Sequence, residues 1–136
     1  MTTDSPENRS LDFERQLDHP PERVWRALTQ KELLSEWIMP TDFEPEVGTS
    51  FTMTAEWGEV SGEILAVEPE KRLSYTWNGP GLTSEVTWTL TPKDGGTLLR
   101  LDHTNIPADS KQAYYGAKAG WPGFLDALDT SLSNTD

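Results

Sequence analysis

The stretch Asp109-Ser110-Lys111-Gln112-Ala113-Tyr114-Tyr115-Gly116-Ala117-Lys118-Ala119-Gly120-Trp121-Pro122-Gly123-Phe124-Leu125-Asp126-Ala127-Leu128-Asp129-Thr130-Ser131-Leu132 decides the fold. Tyr114, Ala117, Trp121, Leu125, Leu128 and Leu132 recur at three- and four-residue steps, the spacing of one apolar stripe on a helix. Such a stripe needs an apolar partner, and the comparable one in this chain is the set of strand-like segments before it. The expectation is a curved sheet gripping this helix, with a cavity between them. Pro122 lacks an N–H and clashes with the carbonyl of residue 118, a penalty of about 3 kcal/mol in a helix interior. Gly116, Gly120 and Gly123 each weaken a helix by roughly 0.5–1 kcal/mol relative to Ala. The helix should therefore divide into a firm half over 124–132, anchored by Leu125, Leu128 and Leu132, and a kinked, mobile half over 110–120 that carries Tyr114 over the pocket mouth. Gly or Ala at 113, 116, 117, 119 and 120 would thin the helix wall facing that pocket.

Outward from this helix, the earlier chain reads mostly in period two. Residues 10–18 form a first strand with Leu11, Phe13, Arg15 and Leu17 on one face. His19-Pro20-Pro21 ends it, and proline is tolerated in a helix's first turn because the N–H groups there lack partners. Val24, Trp25, Ala27 and Leu28 then make a short amphipathic helix. Thr29-Gln30-Lys31-Glu32 matches a capping box, so a second short helix spans 30–37 with Leu33, Leu34 and Trp37 as its apolar face. Pro40 stops it.

Phe51, Met53 and Ala55 alternate with polar residues in a second strand, and residues 60–68 return with Ile64, Leu65 and Val67. Leu73, Tyr75 and Trp77 share a face of the fourth strand, and Asn78-Gly79-Pro80-Gly81 breaks it. In the fifth, Val86, Trp88 and Leu90 face one way, with Thr87, Thr89 and Thr91 opposite. Lys93-Asp94-Gly95-Gly96 is a hairpin turn. The sixth strand, 97–105, puts Leu99, Leu101 and His103 on one face, Pro107 ends it, and Asp109 or Ser110 caps the long helix. The order is β-αα-βββββ-α, an α+β chain with a six-stranded antiparallel sheet covered on one face.

The 136 residues fit one domain, assigned to 10–133, with 1–9 as a disordered lead-in. Six Trp, four Phe and three Tyr supply much of the core volume. With 23 acidic and 11 basic side chains the formal charge is −12, which repels phosphate backbones and anionic lipid and argues against nucleic-acid or membrane-surface roles. The absence of cysteine removes disulfides and thiol chemistry. The first eight residues have no apolar core of a signal peptide, and no run approaches the ~18 apolar residues of a membrane span. A cytoplasmic protein, monomer or homodimer, is the expectation.

The residues Pro20-Pro21-Glu22-Arg23-Val24-Trp25-Arg26-Ala27-Leu28-Thr29, followed by Leu33-Leu34-Ser35-Glu36-Trp37, resemble the opening of a START-like (SRPBCC) family. Its members are bacterial homologues of the heat-shock ATPase activator's C-terminal domain. Val47-Gly48, Gly62-Glu63-Ile64-Leu65-Ala66-Val67, Arg72-Leu73-Ser74-Tyr75-Thr76-Trp77, Gly96-Thr97-Leu98-Leu99-Arg100-Leu101 with His103, and Gly120-Trp121 with Leu125 and Leu128 continue the resemblance. It covers nearly all of 10–133. The resemblance implies a helix-grip fold with a hydrophobic cavity between the sheet and the last helix. It also implies a family that mostly holds, transports or senses apolar small molecules, with some members doing chemistry.

Candidate chemistry is sparse. His19, at a strand–helix junction, reads as structural or merely exposed. His103 shares the inward face with Leu99 and Leu101, where a neutral imidazole either hydrogen-bonds a ligand, acts as a general base, or is simply satisfied at the core edge. Asp102 points to the opposite face, so the adjacent pair is no dyad. There is no metal-ligand spacing, no nucleophile elbow and no phosphate loop or other cofactor motif, so no cofactor and no metal are expected. The remaining constellation is aromatic and apolar: Trp37, Phe51, Met53, Tyr75, Trp77, Trp88, Leu101, His103, Tyr114, Ala117 and Trp121 as lining of a ligand cavity. The leading expectation is binding of a hydrophobic or aromatic small molecule. One alternative is a cofactor-free cyclase or hydrolase using His103 with Tyr75 or Tyr114. Another is a co-chaperone-like regulator of a heat-shock ATPase.

Overall fold

In the computed structural model, residues 9–55, 58–79, 82–107 and 111–134 are described, apart from the side chains of 82, 112, 113 and 134. The elements are β1 (Arg9–Leu17), α1 (Pro21–Thr29), α2 (Lys31–Trp37), β2 (Ser50–Ala55), β3 (Gly58–Glu68), β4 (Arg72–Gly79), β5 (Leu82–Lys93), β6 (Gly96–Ile106) and α3 (Lys111–Asn134). The expected order β-αα-βββββ-α and the six-stranded antiparallel sheet are both present, and the fold is a helix grip. The predicted caps at Asp109 and Ser110, and part of the turns at 57–59 and 78–81, lie outside the described residues.

Strands β2 to β6 follow one another as an antiparallel meander. The sheet order is β1-β6-β5-β4-β3-β2, so the first strand pairs with the last, Phe13 opposite Leu101 and Leu11 opposite His103. The β5–β6 hairpin turns on Asp94 and Gly95, with φ of 52° and 80°. Asp is among the few non-glycine residues that tolerate this region. Gly62 serves a different need. A methyl group there would collide with the Thr76 carbonyl oxygen and the Phe51 ring, so β3 can lie against its neighbours only without a side chain at this point.

The alternating faces fall as the sequence dictates. Phe51, Met53, Val60, Ile64, Leu73, Tyr75, Trp77, Val86, Trp88, Leu90, Leu99, Leu101 and His103 are buried on the side covered by α3. Leu65 is 42% exposed, on the outward side of the alternation from buried Ile64, and the register shift between Ile64 and Ala66 then sets Val67 opposite Leu73 and against the core. In α3 the stripe Trp121, Leu125, Leu128 and Leu132 is buried.

Pro20 and Pro21 open α1, with Glu22 in its first turn. The predicted capping box does not form. Thr29 belongs to the last turn of α1, and its Oγ1 donates back to the Trp25 carbonyl at 2.8 Å. The N-cap of α2 is Gln30, with no side-chain cap. A threonine inside a helix finds the i−4 carbonyl at hand, and that local bond wins over capping the next helix.

The C-terminal end of α3 is clamped by the two short helices. Arg23 Nη2 donates to the Leu132 carbonyl at 2.7 Å, and Ser131 Oγ donates to Glu36 Oε1 at 3.2 Å. On the sheet side, Arg15 Nη1 reaches Asp126 Oδ1 at 2.6 Å. The helix runs through Pro122 as one 24-residue element. Among the described residues, no helix is long and apolar enough to cross a membrane.

Candidate functional site

The concave face of the sheet gathers its aromatic rings under α3. Alternation in β4 and β5 aims Tyr75, Trp77 and Trp88 inward, Phe51 enters from β2, Trp37 from α2 and Trp121 from α3. The rings touch in sequence. Phe51 and Tyr75 have centroids 5.0 Å apart, Tyr75 and Trp77 6.4 Å, Trp77 and Trp121 5.1 Å, Trp121 and Trp88 5.7 Å, and Trp88 and Trp37 5.9 Å. Tyr75 and Trp77 are stacked and the other four pairs are edge-to-face or tilted, arrangements worth roughly 0.5–1.5 kcal/mol each beyond burial. Trp121 stands at the centre, against Trp77, Trp88, His103 and Phe124.

The indoles of Trp37, Trp88 and Trp121, the Tyr75 hydroxyl and both ring nitrogens of His103 find partners of matching chemistry. Trp37 Nε1 donates to the Ala27 carbonyl at 2.9 Å, and Trp88 Nε1 donates to the Tyr75 hydroxyl at 2.8 Å. Burial pushes the Tyr75 phenol well above the usual tyrosine range, so it stays protonated. His103 is fully buried. Trp121 Nε1 lies 3.0 Å from its Nδ1, and Ser84 Oγ lies 2.8 Å from its Nε2. An indole N–H can only donate, so Nδ1 must carry the lone pair. Nε2 then holds the proton and donates to Ser84 Oγ, and the Ser84 hydroxyl donates to the Trp77 carbonyl at 2.7 Å. Burial pushes the His103 pKa down to about 4, which keeps the ring neutral.

This chain of donors runs from α3 through β6 and β5 to β4. Its direction is opposite to that of a nucleophile activated by histidine: His103 donates a hydrogen bond to Ser84, and Nδ1 is held by the Trp121 indole rather than by an acidic group. The predicted partnership of His103 with a tyrosine is not made either. The Tyr75 hydroxyl is engaged by Trp88, and Tyr114 stands against Tyr115 with the Arg9 guanidinium 5.0 Å from its ring. Among the described residues, no three or more His, Cys, Asp or Glu side chains are gathered where they could hold a metal ion.

Of the residues singled out in the sequence, Trp37, Phe51, Met53, Tyr75, Trp77, Trp88, Leu101, His103 and Trp121 are brought together and buried. Tyr114 and Ala117 are only half-buried, on the less covered half of α3. Gly116 and Ala119 are exposed and so do not thin a wall facing the sheet, Ala117 packs partly on the core, and the side chain of Ala113 lies outside those described. Two buried participants escaped the sequence reading. Ser84 continues the inward face of Val86, Trp88 and Leu90, a signal that was present. Phe43, 5.2 Å from Phe51 and 5.7 Å from Tyr75, comes from the loop between α2 and β2, where no periodicity marks it. A separate open depression of about 260 Å³ lies between α1, the start of α2 and the C-terminal end of α3, lined by Arg23, Arg26, Ala27, Gln30, Leu33, Ser131 and Leu132. It includes none of the predicted lining.

The chain is similar to known proteins along most of its length. The model of the family described as Activator of Hsp90 ATPase homolog 1-like protein matches residues 18–133. The human protein named Activator of 90 kDa heat shock protein ATPase homolog 1 is 30% identical over 106 residues, 74% of this chain. The chain spans 30% of that relative's length. Among solved structures, protein MLL2253 from Mesorhizobium loti superposes with a TM-score of 0.89 at 50% identity, covering 94% of this chain and 99% of that one. DynU16, from the dynemicin biosynthetic locus, superposes with a TM-score of 0.83 at 26% identity, over 92% of this chain and 47% of that one.

Proposed function

Because the chain belongs to the Activator of Hsp90 ATPase homolog 1-like family, we propose that it binds an apolar or aromatic small molecule between its sheet and α3. The observation that carries this reading is the buried set Trp37, Phe51, Tyr75, Trp77, Trp88 and Trp121, which joins two layers of the fold and holds polar handles at Tyr75 and His103. Apolar walls with a few fixed polar groups are the ordinary makeup of a small-molecule site. Similarity to DynU16, from a biosynthetic locus, supports a small organic ligand. Burial of roughly 200 Å² of a flat aromatic at about 25 cal/mol per Å² contributes about 5 kcal/mol before ordering costs. That corresponds to affinities on the order of 0.1–1 mM for a minimal fragment, so binding is to be sought up to millimolar concentration. The test is displacement of an environment-sensitive dye by a broad hydrophobic library, followed by tryptophan fluorescence. Saturable displacement is expected; none by any compound would sink the reading.

A second reading has one specific support, the 30% identity to the human heat-shock ATPase activator. It makes this chain a regulator of a heat-shock ATPase. Mixing the two should then raise the rate of ATP hydrolysis, and an unchanged rate removes it.

A further inference from the structure

We propose that Trp121 is a built-in occupant of the ligand space, and that the ligand is a flat bicyclic aromatic whose O–H or N–H replaces the Trp121 indole on His103 Nδ1. The inference rests on the binding reading above and specifies its ligand. Trp121 lies in the middle of the aromatic set, touching Trp77, Trp88 and His103. Its ring is where a ligand between sheet and helix would lie, and its departure opens a space of indole size and shape.

The polar requirement follows from the hydrogen bonds behind the ring. Ser84 Oγ accepts a hydrogen bond from His103 Nε2–H and donates its own to the Trp77 carbonyl, which fixes the tautomer from the sheet side. With Ser84 so engaged, Nδ1 presents a lone pair toward α3, and in this state Trp121 Nε1 satisfies it at 3.0 Å. A ligand that brought an ether, ketone or carboxylate oxygen to the same place would bury two acceptors against each other. A phenol, an aniline-type amine or an indole supplies the missing donor.

The helix is built so that Trp121 can leave. Pro122 has no N–H, so the Lys118 carbonyl lacks its i+4 donor. Side chains at Gly120 or Gly123 would meet no atom within 4 Å, so packing does not require glycine at either position. What those glycines give is backbone freedom on both sides of Trp121–Pro122. Beyond this turn, Leu125, Leu128 and Leu132 hold α3 to the core, whereas before it Tyr115, Gly116, Lys118 and Ala119 are exposed.

The experiment compares 1-naphthol with 1-methoxynaphthalene, which keeps the ring and blocks the donor. Calorimetry gives the affinities, and the Trp121 indole N–H resonance, identified by its loss in Trp121→Phe, reports displacement. We expect 1-naphthol to bind about tenfold or more tightly than the ether, the effect of one buried hydrogen bond, and to shift the Trp121 resonance. Trp121→Phe, which removes the competing indole while keeping a ring, should tighten binding of 1-naphthol, and His103→Leu should abolish the preference for it over the ether. Equal binding of the two probes, or binding that leaves the Trp121 resonance unmoved, overturns this inference while the cavity reading stands. If neither probe nor the apolar dye binds, the binding reading falls and takes the inference with it.

Discussion

Acid should destabilise this protein through His103 in a narrow window. The perturbation is lowering the pH from 7.5 to 4.5, measured on the wild type and on His103→Gln. In the folded chain the imidazole is buried, accepts from Trp121 on Nδ1, and has its pKa lowered from 6.5 to about 4. In the unfolded chain it titrates normally. Between these values the unfolded state binds the extra proton, so stability falls as the pH drops through 6.5 and levels off near 4, and it is fully present above 6.5. The interval from 6.5 to about 4, at about 1.36 kcal/mol per pH unit, gives about 3 kcal/mol, with a limiting slope of about 1.4 kcal/mol per unit. Urea unfolding followed by tryptophan fluorescence supplies ΔG at each pH. Carboxylates titrate in both proteins, and subtraction of the His103→Gln curve removes them. The difference should shrink by about 2 kcal/mol between pH 6.5 and 4.5. Parallel curves over that range would refute a buried, neutral His103.

Other perturbations test the packing and the helix. Trp88→Phe leaves the buried Tyr75 hydroxyl without its indole donor and should cost about 1–3 kcal/mol beyond the lost ring area; in a double-mutant cycle with Tyr75→Phe the two losses should be less than additive, and strict additivity would count against the bond. Gly62→Ala should destabilise by about 1–3 kcal/mol because its methyl collides with Thr76 and Phe51. Gly120→Ala, with open space around it in a helix, should instead stabilise by roughly 0.5–1 kcal/mol, and thermal unfolding distinguishes the two signs. Hydrogen exchange should show residues 124–132 better protected than 111–120, since Leu125, Leu128 and Leu132 are buried and the earlier half is largely exposed. Equal protection would remove the mobile half expected over 110–120 and leave Pro122 as a bend at most.

Period-two and helical spacing carried far in this chain because they record which face of an element is apolar. Val86, Trp88 and Leu90, or Trp121, Leu125, Leu128 and Leu132, are buried because strand and helix geometry puts each set on one side. The residues that resemble the family's motifs added the helix grip itself, and the sheet order agrees with it. In β3 the register shift after Ile64, which sets Val67 opposite Leu73, is invisible to periodicity. Phe43 was hidden for a related reason, being a loop residue buried by what surrounds it.

What the sequence determined by itself was the set of elements and their inward faces, through rules that reach only three or four residues. Tertiary structure alone decided which groups meet across those faces. It set β1 beside β6 and joined Ser84 to His103 and His103 to Trp121. It also turned Thr29 back on its own helix instead of forward as a cap. Hydrogen bonds are chosen by position in space once the chain is compact, and a donor and acceptor on different elements leave no periodic trace along the chain. For that reason the inward placement of His103 was readable from its strand, while its tautomer, its neutrality and the indole on its free nitrogen were not.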